Sequence, residues 1–203
     1  MTLTRGARAL GAIAALAVLL VAEPAHAHMD ADVGDFYQGV FQPFLHPEFL
    51  CSALAIALWA TQQEERDAYV TCGAFGLGVG LGATAAFLGE GGTASLWGPR
   101  LTMLVIGPLV AARIRPPVAV LAGLVTLAGL AQGHAATASD RDVVARPVLW
   151  TLGLAIGAGL LGAYATMATQ RFRAFWVQVG VRVAGSWIAA IGLMVSALAA
   201  RGR

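Results

Sequence analysis

Residues 69–88 read YVTCGAFGLGVGLGATAAFL, a run that contains no charged side chain. An apolar run of about 20 residues is what an α-helix needs to cross the hydrocarbon core of a bilayer. Within it, residues 76–82 contain two overlapping GxxxG patterns, and Gly153 and Gly157 repeat the same spacing further along the chain. Small residues one turn apart favour close packing between helices. A second interpretation of this spacing is that it exposes backbone carbonyls along a translocation path.

The composition of the whole chain extends this prediction. Hydrophobic residues make up 58% of the 203 residues and charged residues only 12%, which is typical of an integral membrane protein whose main partner is the lipid bilayer. The net charge is +2, and no stretch combines clustered arginines with aromatic residues, so nucleic acid is excluded as a partner.

The N-terminus has the three parts of an export signal. Arg5 and Arg8 precede an apolar run over residues 10–21, and small residues follow at Ala25 and Ala27. This pattern predicts a cleavable signal peptide over residues 1–27. An uncleaved signal anchor is the alternative, and it would add a span.

Cleavage after Ala27 would leave His28 as the first residue of the mature chain. The predicted organisation is then a periplasmic N-terminal segment over residues 28–43 and a transmembrane domain over residues 44–203 of a bacterial inner-membrane protein. The fold class is an all-α membrane protein, a six-helix transmembrane bundle that follows the signal peptide. The six predicted spans are residues 44–61, 69–88, 98–112, 117–135, 147–169 and 174–199.

This topology brings three possible metal ligands to the outer membrane surface. His46 begins the first span, Glu90 follows the second, and His134 ends the fourth. Imidazole and carboxylate suit divalent ions such as nickel, cobalt, zinc or copper. We therefore expect His28, His46, Glu90 and His134 to gather a divalent metal that is transported or bound transiently, with no tightly bound cofactor.

Three of the four ligands also have a plain structural interpretation. His46-Pro47-Glu48 is a favourable helix start, since Pro suits the first helical position and an acidic residue complements the helix dipole. His134 could be a solvated side chain at an interfacial helix end. A free N-terminal His28 could chelate a metal through its amine and imidazole, or the terminus could simply be flexible and solvated.

Two other features bear on function. Arg182 is a charge well inside a predicted span, which indicates a structural role or a role at an inner gate. The chain contains none of the GxSxG, HExxH or GxxxxGK[ST] motifs, so no enzymatic function is predicted.

The layout resembles the HupE/UreJ family of hydrogenase and urease accessory proteins, which are small six-span permeases for nickel or cobalt. His46 and Pro47 match the start of the family's HPxxGxDH motif. Leu50, Ser52 and Ala53 stand where that motif has its Gly, Asp and second His.

A second family motif, an FHGxAHGxE-like run, falls on residues 131–139 and is matched by Gly133 and Ala135. Gln132, Ala136 and Ser139 stand at its two His positions and its Glu position. The resemblance implies transport of nickel or cobalt and a link to hydrogenase or urease maturation proteins or a membrane complex. A non-transporting accessory or structural subunit, which has lost the metal ligands, is the alternative.

Overall fold

The computed structural model describes residues 34–89, 97–170 and 175–201, and all regular secondary structure in these ranges is α-helical. The all-α prediction is therefore confirmed for the part of the chain that is described. The helices are α1 (Gly34–Leu45), α2 (Pro47–Ala60), α3 (Glu65–Leu88), α4 (Gly98–Ala111), α5 (Val118–Asp140), α6 (Pro147–Gln170) and α7 (Phe175–Arg201).

The number of candidate membrane spans is smaller than the six predicted. By length and composition, α3, α5, α6 and α7 could each cross a membrane, and α1 with α2 could form a fifth span that is bent by 78°. Helix α4 has only 14 residues, fewer than the ~20 that a full crossing needs. The chain is thus a multi-pass membrane protein with four or five candidate spans among the described residues.

Residues 34–43, predicted to belong to a periplasmic segment, lie in α1, which packs along α6. A Cβ atom added at Gly153 would collide with the carbonyl oxygen of Phe36, and one at Gly157 with that of Val40. The backbone N–H of Arg146 also donates to the Asp35 carboxylate at 2.6 Å. These contacts make α1 part of the same helical unit as the predicted spans.

The bend between α1 and α2 occurs at His46. Its backbone is extended (φ −109°, ψ 112°) and Pro47 is the first residue of α2. A proline disfavours the helical conformation of the residue before it, so Pro47 interrupts the helix at this point. Irregular backbone at membrane depth is tolerated where it lines a cavity, and His46 does line one.

The glycines of α3 pack against two different helices. A Cβ atom at Gly78 or Gly82 would collide with backbone carbonyls of α5, and one at Gly129 of α5 would lie 2.6 Å from the Phe75 carbonyl oxygen. A Cβ atom at Gly76 would instead lie 2.9 Å from the Ala155 carbonyl oxygen of α6. Both overlapping GxxxG patterns therefore serve close packing, each with its own partner helix.

Side chains from α2, from the turn after α2 and from α7 stabilise the C-terminal end of the short helix α4 and the residues after it. Gln62 donates to the Val110 carbonyl at 2.8 Å, and Arg182 donates to the Ala111 carbonyl at 2.9 Å. The indole of Trp59 donates to the Ile114 carbonyl at 2.8 Å. Arg182 thus satisfies a free helix-end carbonyl with a cation, which the helix dipole also favours.

Candidate functional site

A cleft of about 300 Å³ opens where α1 and α5 end and where α2 and α4 begin. It is therefore built from the ends of four helices. Its lining residues are Gln42, His46, Pro47, Glu48, Phe49, Pro99, Arg100, Ala135, Ala136 and Ser139.

His46 lines this cleft, and Asp140 directly follows Ser139, which also lines it. The exposed His46 imidazole is close enough to interact electrostatically with the Asp140 carboxylate, and Gln42 donates to that carboxylate at 2.5 Å. Asp140 is the last residue of α5, where the helix dipole opposes a negative charge. The helix dipole therefore does not stabilise the negative charge of Asp140, whereas a cation next to the carboxylate would.

Glu48 and Arg100 form a polar pair, which joins the start of α2 to the start of α4. The two hydrogen bonds are parallel, from Arg100 Nε to Glu48 Oε2 at 3.1 Å and from Nη2 to Oε1 at 3.2 Å. The guanidinium also lies 5.7 Å from the ring centroid of Trp97. A bidentate arginine–carboxylate pair has a well-defined geometry. Both carboxylate oxygens of Glu48 are therefore engaged by Arg100.

Gln132 lies one turn inward of the cleft on α5. It shares a helix face with Ala136, which lines the cleft, and its side chain is fully buried. Neither its amide nitrogen nor its amide oxygen has a hydrogen-bond partner. A buried amide without a partner is unfavourable, which makes Gln132 an exception in this core.

The predicted ligands are only partly brought together. His46 lines the cleft, whereas His134 does not, and the backbone N–H of His134 faces Gly82 at the α3–α5 contact. His28, Glu90 and the predicted signal peptide lie outside the described residues. Within the described ranges, no three His, Cys, Asp or Glu side chains converge on one possible metal position.

The comparisons with known proteins agree with the resemblance seen in the sequence. The family model described as HupE / UreJ protein matches residues 16–195. The chain belongs to the HupE/UreJ family. The family is one of membrane transporters rather than enzymes, and it is associated with nickel and cobalt transport. No curated protein and no solved structure matches the chain.

The two family motifs meet at the cleft. His46, from the first motif, and Ala136 and Ser139, from the second, line the same cavity. Ser52, at the Asp position of the first motif, is fully buried and donates to the Phe49 carbonyl at 2.9 Å. The fold therefore brings the family's motif positions together, although most of them carry no metal ligand here.

Sequence reasoning missed Asp140, Gln42 and Arg100 as site residues. Asp140 could have been found, because it directly follows Ser139, which stands at the Glu position of the second family motif. The carboxylate is displaced by one residue along α5. Gln42 and Arg100 carry no comparable signal, since their proximity to the other site residues depends on how the helices pack.

Proposed function

We propose that this chain is a divergent metal permease of the HupE/UreJ family that takes up a divalent transition-metal ion, nickel or cobalt, through the cleft. The observation that carries the proposal is that His46, which lines a cavity of about 300 Å³, lies within electrostatic range of the Asp140 carboxylate at the end of α5. A nitrogen ligand next to a carboxylate suits these ions.

A small ligand set is compatible with transport. An ion in transit must bind well enough to enter the protein and weakly enough to leave it. One imidazole and one carboxylate, with water in the remaining positions, would hold a divalent ion loosely. His28, Glu90 and His134 would extend this capture surface without completing a closed site.

The orientation of the cleft follows from the predicted signal peptide. Cleavage after Ala27 would leave the start of α1 near the periplasmic side, and the cleft at the α1–α2 bend would then receive ions from the periplasm of a bacterial cell. The ion would be captured at the outer face of the inner membrane. N-terminal sequencing of the mature protein tests this orientation through the position of the cleavage site.

Metal uptake by cells that express the chain tests the proposal. We expect uptake of radioactive nickel or cobalt to rise on expression and to fall about tenfold or more in the His46→Ala and Asp140→Asn variants, because each removes a ligand. His134→Ala should have a smaller effect, since His134 does not line the cleft.

Asp142→Asn is the matched control. Asp142 is exposed, lies two residues after Asp140 and does not line the cleft, so this variant should take up the metal at the wild-type rate. Uptake that does not rise on expression, or that is equally reduced by Asp142→Asn, contradicts the proposal.

A non-transporting accessory subunit is the second candidate, and two observations favour it. Ser52, Ala53 and Ala136 stand at ligand positions of the family motifs, and no three ligands converge within the described ranges. Such a subunit would assemble with hydrogenase or urease maturation proteins or with a membrane complex. Co-purification of a stable complex that contains no metal would favour it.

A further inference from the structure

The Glu48–Arg100 pair bridges the cleft between two helix starts that are far apart in sequence. Arg100 is the more shielded partner, with 17% of its side chain exposed against 37% for Glu48. Its guanidinium lies in the first turn of α4, where the helix dipole opposes a positive charge. Arg100 therefore depends on Glu48, and on the ring of Trp97, to remain in this position.

The cleft ends just inward of this bridge. Phe49 and Ala136, which line it, are 3% and 9% exposed. One helical turn further inward, on the same helix faces as Glu48 and Ala136, lie the fully buried Ser52 and Gln132. Polar groups thus continue along the inward direction, although no open passage reaches them.

In this closed arrangement the amide of Gln132 is in an unfavourable environment. Its amide nitrogen and oxygen are both buried without a partner, and buried amides in proteins are nearly always hydrogen-bonded. An open arrangement would give the amide access to water or to an ion. In the closed arrangement the amide is desolvated, which favours opening.

We propose that the Glu48–Arg100 ion pair is a gate between the cleft and Gln132, and that a divalent cation opens it by competing with Arg100 for the Glu48 carboxylate. The second part rests on the proposed metal transport; the first does not. Partly exposed ion pairs are weak, so a divalent cation in the cleft, which attracts Glu48 and repels Arg100, would compete with this pair.

Accessibility of a cysteine placed behind the gate tests the proposal. The native Cys51 and Cys72 are both free and are first replaced by Ala. Gln132→Cys, and separately the nearly isosteric Ser52→Cys, then report access of a membrane-impermeant thiol reagent to the full-length protein in vesicles. If Gln132→Cys does not fold, Ser52→Cys alone reports access behind the gate.

We expect slow labelling with the ion pair intact and labelling about tenfold faster or more when Arg100→Gln is added, since a tenfold change reports a clear shift of the gate equilibrium. The exchanged pair, Glu48→Arg with Arg100→Glu, should return the rate towards the parent value. Arg115→Gln, at an exposed arginine beyond the opposite end of α4, is the matched control and should leave the rate unchanged.

Nickel chloride should accelerate labelling in the parent and not in His46→Ala. Equal labelling rates with and without Arg100→Gln would overturn the gate. So would an exchanged pair that labels as fast as Arg100→Gln, since the pair itself would then not control access. If Arg100→Gln accelerates labelling but nickel chloride does not, the ion pair is a gate, and the proposal that a metal opens it is wrong.

Discussion

At the scale of single residues, the sequence indicated His46 but not its partner. Hydropathy locates the start of each span along the chain, and a residue at the start of a span lies near the membrane surface. The depth of His46 could therefore be predicted. Asp140 could not be paired with it, since the lateral arrangement of α1, α2 and α5 depends on packing between distant residues. The two side chains come within electrostatic range of each other only once the helices are assembled.

Gln132 makes a second prediction at this scale. Replacing it with Leu, of similar size, removes a buried amide without a partner, so we expect the free energy of unfolding to rise by about 1–3 kcal/mol. Metal uptake should fall at the same time, because the proposed path loses its polar group. Thermal unfolding in detergent measures the first effect and the uptake assay the second.

Gln42→Leu is the control for this change. The Gln42 amide is also buried, but it donates to Asp140, so its loss should destabilise the protein. If Gln132→Leu lowers the midpoint temperature as Gln42→Leu does, the Gln132 amide has a partner in the folded protein and the inference is wrong.

At the scale of the helices, glycine spacing predicted close packing but not the partners. Gly78 and Gly82 contact α5, whereas Gly76 contacts α6, and a spacing pattern on one helix contains no information about which neighbour it meets. Arg182 is a similar case. Its depth in α7 was visible in the sequence, but its bond to the Ala111 carbonyl depends on where the short helix α4 ends.

Gly133→Ala tests the α3–α5 contact. A Cβ atom there would collide with the Val79 carbonyl oxygen, so we expect a loss of about 1–3 kcal/mol, as for other overpacked sites. Gly123→Ala, on the same helix with nothing within 4 Å of the added Cβ, should leave stability unchanged or raise it by about 0.5–1 kcal/mol. Equal effects of the two changes on thermal unfolding would contradict this packing.

At the scale of the whole molecule, the sequence predicted a helical membrane protein and its family, and four or five of the six predicted spans have a counterpart among the candidate spans of the described residues. Hydropathy identifies apolar segments without regard to bends or helix length, so it shows neither the 78° bend before Pro47 nor that α4 has only 14 residues. Helix α1 contains residues 34–43 of the predicted periplasmic segment. Its packing against Gly153 and Gly157 is a tertiary contact that composition does not reveal.

The central claim is that His46 and Asp140 bind a divalent metal in the cleft, and equilibrium dialysis of the purified protein against cobalt chloride tests it most directly. We predict about one bound ion per chain, with a dissociation constant about tenfold higher or more in His46→Ala and Asp140→Asn and unchanged in Asp142→Asn. A wild-type protein that binds no cobalt, or variants that bind it as tightly as the wild type, would contradict the account.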